Sequence, residues 1–175
     1  MLNAFFDLAR PALFALDPER AHGMTIDALE RGLHPRDASA DPASLAQTVC
    51  GLEFSNPVGV AAGFDKDARV PDAVLAMGCG FAEIGTVTPL AQAGNPKPRI
   101  FRLIRDRAVI NRLGFNNAGH AAALQRLEAR LKAGRGGIVG VNIGANKETS
   151  DRTGDYVRGL DTFYDVASYF TVNIS

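Results

Sequence analysis

The sequence predicts an α/β fold on parallel strands: about the first four β/α units of a (β/α)8 TIM barrel, preceded by a small helical N-terminal domain. Three observations carry this reading. A unit of short apolar strand, glycine or polar cluster, and helix recurs along the chain. Its strands, "VGVAAG" (58–63), "FAEIGTV" (81–87), "GIVGVNIG" (137–144) and "YFTVNI" (169–174), are near-continuous apolar runs, as in sheets covered on both faces. Each strand also ends in glycine or polar residues: Gly63 to Lys66, Gly85 and Thr86, Asn142 and Gly144, Asn173 and Ser175. Barrel enzymes assemble their sites from such C-terminal strand ends. An open doubly wound sheet is the alternative. It would concentrate function at one switch point, usually with a glycine fingerprint, and neither G-x-G-x-x-G nor a P-loop occurs here. A complete barrel takes about 250 residues.

Residues 1–34 read as two short helices. The first places Leu2, Phe5, Phe6, Ala9, Leu13 and Leu16 at near-helical spacing, with Asn3, Asp7 and Arg10 on another face, and Pro11 should kink or break it. Asp17-Pro18 writes a second start, a capping side chain before proline at the first helical position, with an expected apolar stripe of Ala21, Met24, Ala28 and Leu29. "PRDASADP" (35–42) reads as a linker, so residues 1–42 are expected to form one unit and 43–175 another. "TVCGLEFSNP" reads as a small hairpin. The helices between strands are expected at about 70–77, 118–132 and 155–167. The insertion from Pro89 to Gly114 interrupts the rhythm, and "RIFRLI" with "AVIN" should form an extra hairpin within it.

Composition narrows the function classes. Apolar residues make up 46% and charged residues 22%, a globular balance, and the formal net charge is zero. No overall electrostatic footprint for nucleic acid results. No apolar run reaches the ~20 residues of a bilayer span, and the N-terminus has neither a basic signal region nor the Arg- and Ser-rich character of a transit peptide. Cys50 and Cys79 stand alone without C-x-x-C, which reads as two reduced thiols, and no His or carboxylate cluster suggests a metal.

Several residues carry candidate chemistry. In "AAGFDKD", small residues admit a flat ligand to the backbone and Lys66 offers a cation; pairing of Lys66 with Asp65 or Asp67 is the plainer reading. "INRLGFNNAG" holds Asn111, Asn116 and Asn117, whose amides can match a ligand bearing both C=O and N–H groups, although Asn117 could equally cap the following helix. Asn142 and Asn173 lie inside apolar strands, where an unpaired amide is expensive, so each should have a specific partner.

The motifs "LDPERAH" (16–22), "NPVGVAAGFDKD" (56–67), "EIGTVTP" (83–89), "KPRIFRL" (97–103), "INRLGFNN" (110–117), "GVNIGANK" (140–147) and "VNIS" (172–175) occur in family order with compatible spacing. In these the chain resembles the quinone-linked (class 2) dihydroorotate dehydrogenases of pyrimidine biosynthesis. The resemblance implies an FMN-binding barrel that oxidises dihydroorotate to orotate and passes the electrons to a ubiquinone-type quinone. By it, Ala62, Gly63, Phe64, Asp65, Lys66, Thr86, Asn142 and Asn173 would touch FMN. Lys66, Asn111, Arg112, Leu113, Gly114, Phe115 and Asn173 would hold dihydroorotate, and His22 with Arg102 would face the quinone. Without the family, Arg102 reads as a solvated strand arginine and the helices as a cap on the barrel. The helical segment is expected to form the quinone's apolar tunnel and to associate peripherally with the cytoplasmic side of the cell inner membrane. The catalytic base is expected one residue beyond Ser175, with Lys66 assisting, so the 175-residue stretch alone is expected to be inactive. Two other readings stay open: a soluble relative using fumarate or NAD, and a non-catalytic half-barrel that works only with a complementary chain.

Overall fold

The computed structural model describes residues 10–37 and 39–175. The positions expected on the first helix before Arg10 (Leu2, Asn3, Phe5, Phe6, Asp7 and Ala9) lie outside the described residues. Residues 10–15 are helical. Helix α1, Pro18–Glu30, starts as its sequence dictates: the Asp17 carboxylate accepts from the Glu19 and Arg20 N–H groups, both at 3.0 Å, and Pro18 occupies the first turn.

The buried face of α1 differs from the expected stripe. Ala21, Ile26 and Leu29 are buried, whereas Met24 is 48% exposed. The true seam runs through His22, Ile26 and Leu29 at i, i+4 and i+7. A histidine on that seam hid it from an apolar count. Ile26 and Leu29 pack with Val70 and Ala73, and ion pairs fasten the flanks: Arg99 with Glu19, and Arg69 with Asp27 (2.8 Å) and Glu30.

Residues 35–42 carry specific contacts, with the Asp37 N–H donating to the Ala76 carbonyl at 2.9 Å. A 3-10 turn at Ala43–Leu45 leads into the hairpin of β1 (Gln47–Val49) and β2 (Leu52–Phe54). Its turn places Cys50 and Gly51 in the left-handed region (φ 50° and 82°), as a two-residue hairpin turn requires.

The main sheet is parallel in the order β3-β4-β7-β8, formed by Gly59–Val60, Phe81–Val87, Ile138–Gly144 and Tyr169–Asn173. Helices α2 (Pro71–Ala76), α3 (His120–Lys132) and α4 (Arg152–Phe163) lie between its strands in sequence. The expected hairpin in the insertion is present as β5 (Ile100–Leu103) and β6 (Ala108–Asn111). Boundaries differ most at β3 and at both ends of α4, which stops at Phe163 where 167 is expected. Strand β3 is far shorter than 58–63: its regular ladder with β4 ends at Val60, and the chain turns at Gly63 (φ 101°). There the Gly63 N–H donates to the Gly85 carbonyl at 2.7 Å, and the Gly85 N–H donates to the Asp65 carbonyl at 2.9 Å. Helix α4 begins three residues before the expected Asp155, since Asp151 caps it by accepting from the Gly154 N–H at 2.8 Å. A Cβ at Gly154 would overlap the Asp151 carboxylate, so a side chain there would displace the capping group.

Alternation along the strands explains the layering. Ile84, Val87, Val139, Val141 and Ile143 form a fully buried layer with Ala123 and Leu127 of α3 and Phe163 of α4. Burying each large side chain of this kind contributes roughly 1.5–3 kcal/mol. The opposite strand face is mixed. Phe81 and Tyr169 meet edge-on at its lower end (6.4 Å between centroids), Glu83 is level with Tyr169 through Gly140, and Asn142 and Thr171 follow one step above.

Candidate active site

The strand ends surround a cavity of about 500 Å³. Ala61, Ala62, Gly63 and Lys66 enter it from the segment after β3, Glu83, Gly85 and Thr86 from β4, Asn142 from β7 and Asn173 from β8. Asn111 and Leu113 to Asn116 close it from the loop after β6. That loop is held by Asn117, whose Nδ2 donates to Thr88 Oγ1 (2.9 Å) and the Phe115 carbonyl (2.7 Å), while its Oδ1 accepts from the Gly119 N–H (2.8 Å). Asn117 therefore secures the insertion, and Gly119 stands at the N-cap of α3 without a side-chain hydrogen bond. Gly114 and Phe115 both adopt positive φ, 72° and 51°, which turns the loop toward the strands.

Lys66 is half-buried. Its Nζ donates to the Gly63 carbonyl at 2.7 Å and lies 3.4 Å from His22 Nε2. It forms no ion pair with Asp65 or Asp67 among the described residues, contrary to the plainer sequence reading. Burial pulls the Lys66 pKa down, and burial followed by the Lys66 charge does the same to His22. The Asp65 carboxylate points elsewhere. It is 3% exposed and accepts from the Val70 (2.7 Å) and Arg69 (2.9 Å) N–H groups at the start of α2. Burial raises its pKa against the pull of those donors.

Asn142 and Asn173 have the partners their placement demanded. Asn142 Nδ2 donates to Glu83 Oε1 at 2.9 Å and its Oδ1 accepts from Thr86 Oγ1 at 2.7 Å; Asn173 Nδ2 donates to Thr86 Oγ1 at 3.0 Å. Asn116 Oδ1 is buried with no partner among the described residues.

Most residues expected at the site by resemblance are brought together here. Phe64, Asp65 and Arg112 do not line this cavity. Arg112 Nη2 instead donates to the Pro98 carbonyl at 3.1 Å. Phe64 and Asp65 line a neighbouring cavity of about 210 Å³ with Glu19, His22, Ile26 and Ile100, and Lys66, Leu113 and Asn116 border both cavities. His22 and Arg102 do not share a cavity: Arg102 stacks on Phe14 (4.9 Å to the ring centroid) and donates to the Phe14 and Leu16 carbonyls. A larger cavity of about 920 Å³ lies outside the strand ends, between residues 89–94 and 146–149 and the faces of α3 and α4. Sequence reasoning missed Glu83 and Ala61. A carboxylate in the middle of the apolar run "FAEIGTV" was the available signal for Glu83.

Comparison with known proteins agrees with this architecture. A family model described as dihydroorotate dehydrogenase matches residues 44–175. A protein of Allorhizobium ampelinum named dihydroorotate dehydrogenase (quinone) is 60% identical over 175 residues, covering 100% of this chain and 48% of its own length. A protein of Parvibaculum lavamentivorans with the same name is 63% identical over 170 residues, covering 97% of this chain and 48% of its own. The chain thus spans about half the length of the curated relatives it matches. Among solved structures, DHODH from Eimeria tenella in complex with ferulenol superposes with a TM-score of 0.87 at 42% identity, over 94% of this chain and 47% of that one. The parallel sheet with its helices is accordingly part of a TIM-type barrel, and the chain belongs to the dihydroorotate dehydrogenase family.

Proposed function

We propose that this chain serves an enzyme that oxidises dihydroorotate to orotate, with FMN as cofactor and a quinone as final electron acceptor. The observation that carries the reading is the convergence of Lys66 and the amides of Asn111, Asn142 and Asn173 on one cavity at the strand ends, in a chain about 60% identical to relatives named for this activity. The residues present fit a flat cofactor. Gly63 has a φ of 101° and nothing within 4 Å of where a Cβ would project, and Ala61, Ala62 and Gly85 keep the same wall low. FMN, when bound, would supply the hydride acceptor. Ala62, Gly63, Lys66, Thr86, Asn142 and Asn173 would hold it.

Orotate is a planar ring bearing amides and a carboxylate, dihydroorotate carries the same polar groups on a partly saturated ring, and the chain offers matching groups. The Lys66 ammonium has three protons, and one is engaged by the Gly63 carbonyl. Its charge complements a carboxylate or anionic reduced ring, an electrostatic contribution made before reaction. Asn111, Leu113 to Phe115 and Asn173 would orient the pyrimidine, and the half-buried stretch 113–116 would shield it from water.

The smaller cavity beside His22 supports a quinone position, because it shares the wall of Lys66, Leu113 and Asn116 with the first. The match to relatives named "(quinone)" runs through the helical segment, which favours this acceptor over fumarate or NAD. We also propose that the helical segment, ending near residue 42, is a unit of its own that rests on the cytoplasmic side of the inner membrane. The family model begins at residue 44, and Phe14, Met24 and Leu33 are exposed. No helix among the described residues is long and apolar enough to cross a membrane.

The test is anaerobic titration of the flavin-loaded enzyme that contains this chain. Dihydroorotate should bleach the visible flavin bands and a short-chain ubiquinone should restore them. Protein purified without flavin, or flavin indifferent to dihydroorotate, would refute the proposal.

A further inference from the structure

Glu83 lies one layer below the strand-end residues, on the same sheet face as Asn142 and Thr171. Its carboxylate accepts three hydrogen bonds: from Asn142 Nδ2 (2.9 Å), Tyr169 Oη (3.0 Å) and Thr171 Oγ1 (3.0 Å). An ionised carboxylate can only accept, so it dictates which end of the Asn142 amide faces it. The NH₂ must point at Glu83, which leaves Asn142 Oδ1 to accept from the Thr86 hydroxyl at 2.7 Å. Thr86 has one proton, and with it committed, Oγ1 receives the Asn173 amide NH₂ at 3.0 Å. Asn173 Oδ1 then faces the Ser175 N–H (3.2 Å) and hydroxyl (2.7 Å). The direction of every bond along this path, across three adjacent strands, follows from the one group that has no proton to give.

We propose that Glu83 is a positioning residue that sets the amide orientations of Asn142 and Asn173, and so decides which of their atoms are presented to the bound flavin and pyrimidine. This rests on the flavin reading given above. A purely structural carboxylate would need only its hydroxyl donors. Here the third donor is the amide that lines the cavity, and the two hydroxyls can rotate to serve an amide in place of the acid.

The substitution Glu83→Gln keeps shape and volume but offers both a donor and an acceptor, so the Asn142 amide loses its single preferred orientation. Tyr169→Phe removes one donor to Glu83 without touching the path to Asn173. For Glu83→Gln, the dissociation constants of FMN and dihydroorotate, read from the visible spectrum of the holoenzyme, should rise by about tenfold. That is the loss expected when a charge-assisted bond becomes a neutral one. Its melting temperature should match that of Tyr169→Phe, which should retain parental affinities. Equal affinities in Glu83→Gln, Tyr169→Phe and parent would overturn the proposal. Should Glu83→Gln fail to fold, hydrogen exchange in the parent decides. The Asn142 and Asn173 side-chain amides should exchange at least about tenfold more slowly than that of exposed Asn111, and equal rates would sink the idea. A parent that binds no flavin contradicts the functional reading itself, and the exchange comparison still tests the hydrogen-bond path.

Discussion

Lowering the pH should weaken the fold through His120, whose imidazole is 6% exposed and packs edge-on against Phe163 with ring centroids 5.1 Å apart. Its Nε2 has no hydrogen-bond partner among the described residues, so a proton added there would be buried without compensation. Burial lowers the His120 pKa to about 4 from 6.5; the nearby Asp155 charge opposes this and Arg158 reinforces it. The sign follows from linkage. Because the folded pKa lies below the unfolded one, stability is fully present above 6.5 and is lost as the pH falls toward 4. Between about pH 7 and about pH 5 the loss from this one group is about 2 kcal/mol, against a typical total of about 5–15 kcal/mol. The assay is urea unfolding at several pH values for the parent and for His120→Leu, which fills similar volume and does not titrate. Comparing the two cancels the contribution of carboxylates such as Asp155, which the variant retains. The stability difference should close by about 2 kcal/mol in favour of the variant as the pH falls. Parallel pH profiles would refute the reasoning.

Two further substitutions test the scaffold. Gly85→Ala places a Cβ against the Asn142 carbonyl oxygen at a φ of 109°, so it should cost about 2–4 kcal/mol or prevent folding; an unfolding midpoint like the parent's would contradict the close packing of β4 on β7. Arg99→Met should cost about 3 kcal/mol, because it leaves Glu19 only the longer Lys97 contact at 3.6 Å and frees the Ala93 and Asn95 carbonyls that Arg99 Nη1 reaches at 2.6 and 2.9 Å. Limited proteolysis should then cut between α1 and β1 sooner than in the parent. Unchanged cleavage would mean that the Ile26 and Leu29 contacts and the Arg69 ion pairs hold the helix without Arg99.

Much of the fold was legible in the sequence because its signals act over a few residues. The Asp17-Pro18 cap, the Cys50-Gly51 turn and the apolar strands each depend on neighbours close in the chain, and each is found where expected. Local signals misled where a distant contact overrode them. Helix α4 starts before 155 because Asp151 caps it, β3 pairs regularly only to Val60 before Gly63 bonds Gly85, and His22 sits in the seam of α1 because Phe64 lies against it (5.5 Å between rings).

For the site, the sequence by itself determined the family and the residue types at each strand end, since motif order and spacing survive without knowledge of the pairing. Only the tertiary structure decided which of those residues meet. Asp65 and Lys66 are adjacent in the chain, yet one is buried against the Arg69 and Val70 N–H groups just before α2 and the other borders the cavity. Glu83, Asn142 and Thr171 come from three strands and meet because register puts them on one face, Asn142 beside Thr171 and one step above the Glu83–Gly140 pair, with the irregularity between Gly85 and Val87 placing Thr86 within reach of both Asn142 and Asn173. A one-residue slip would send every one of these side chains to the opposite face, and that register is set by packing between strands dozens of residues apart.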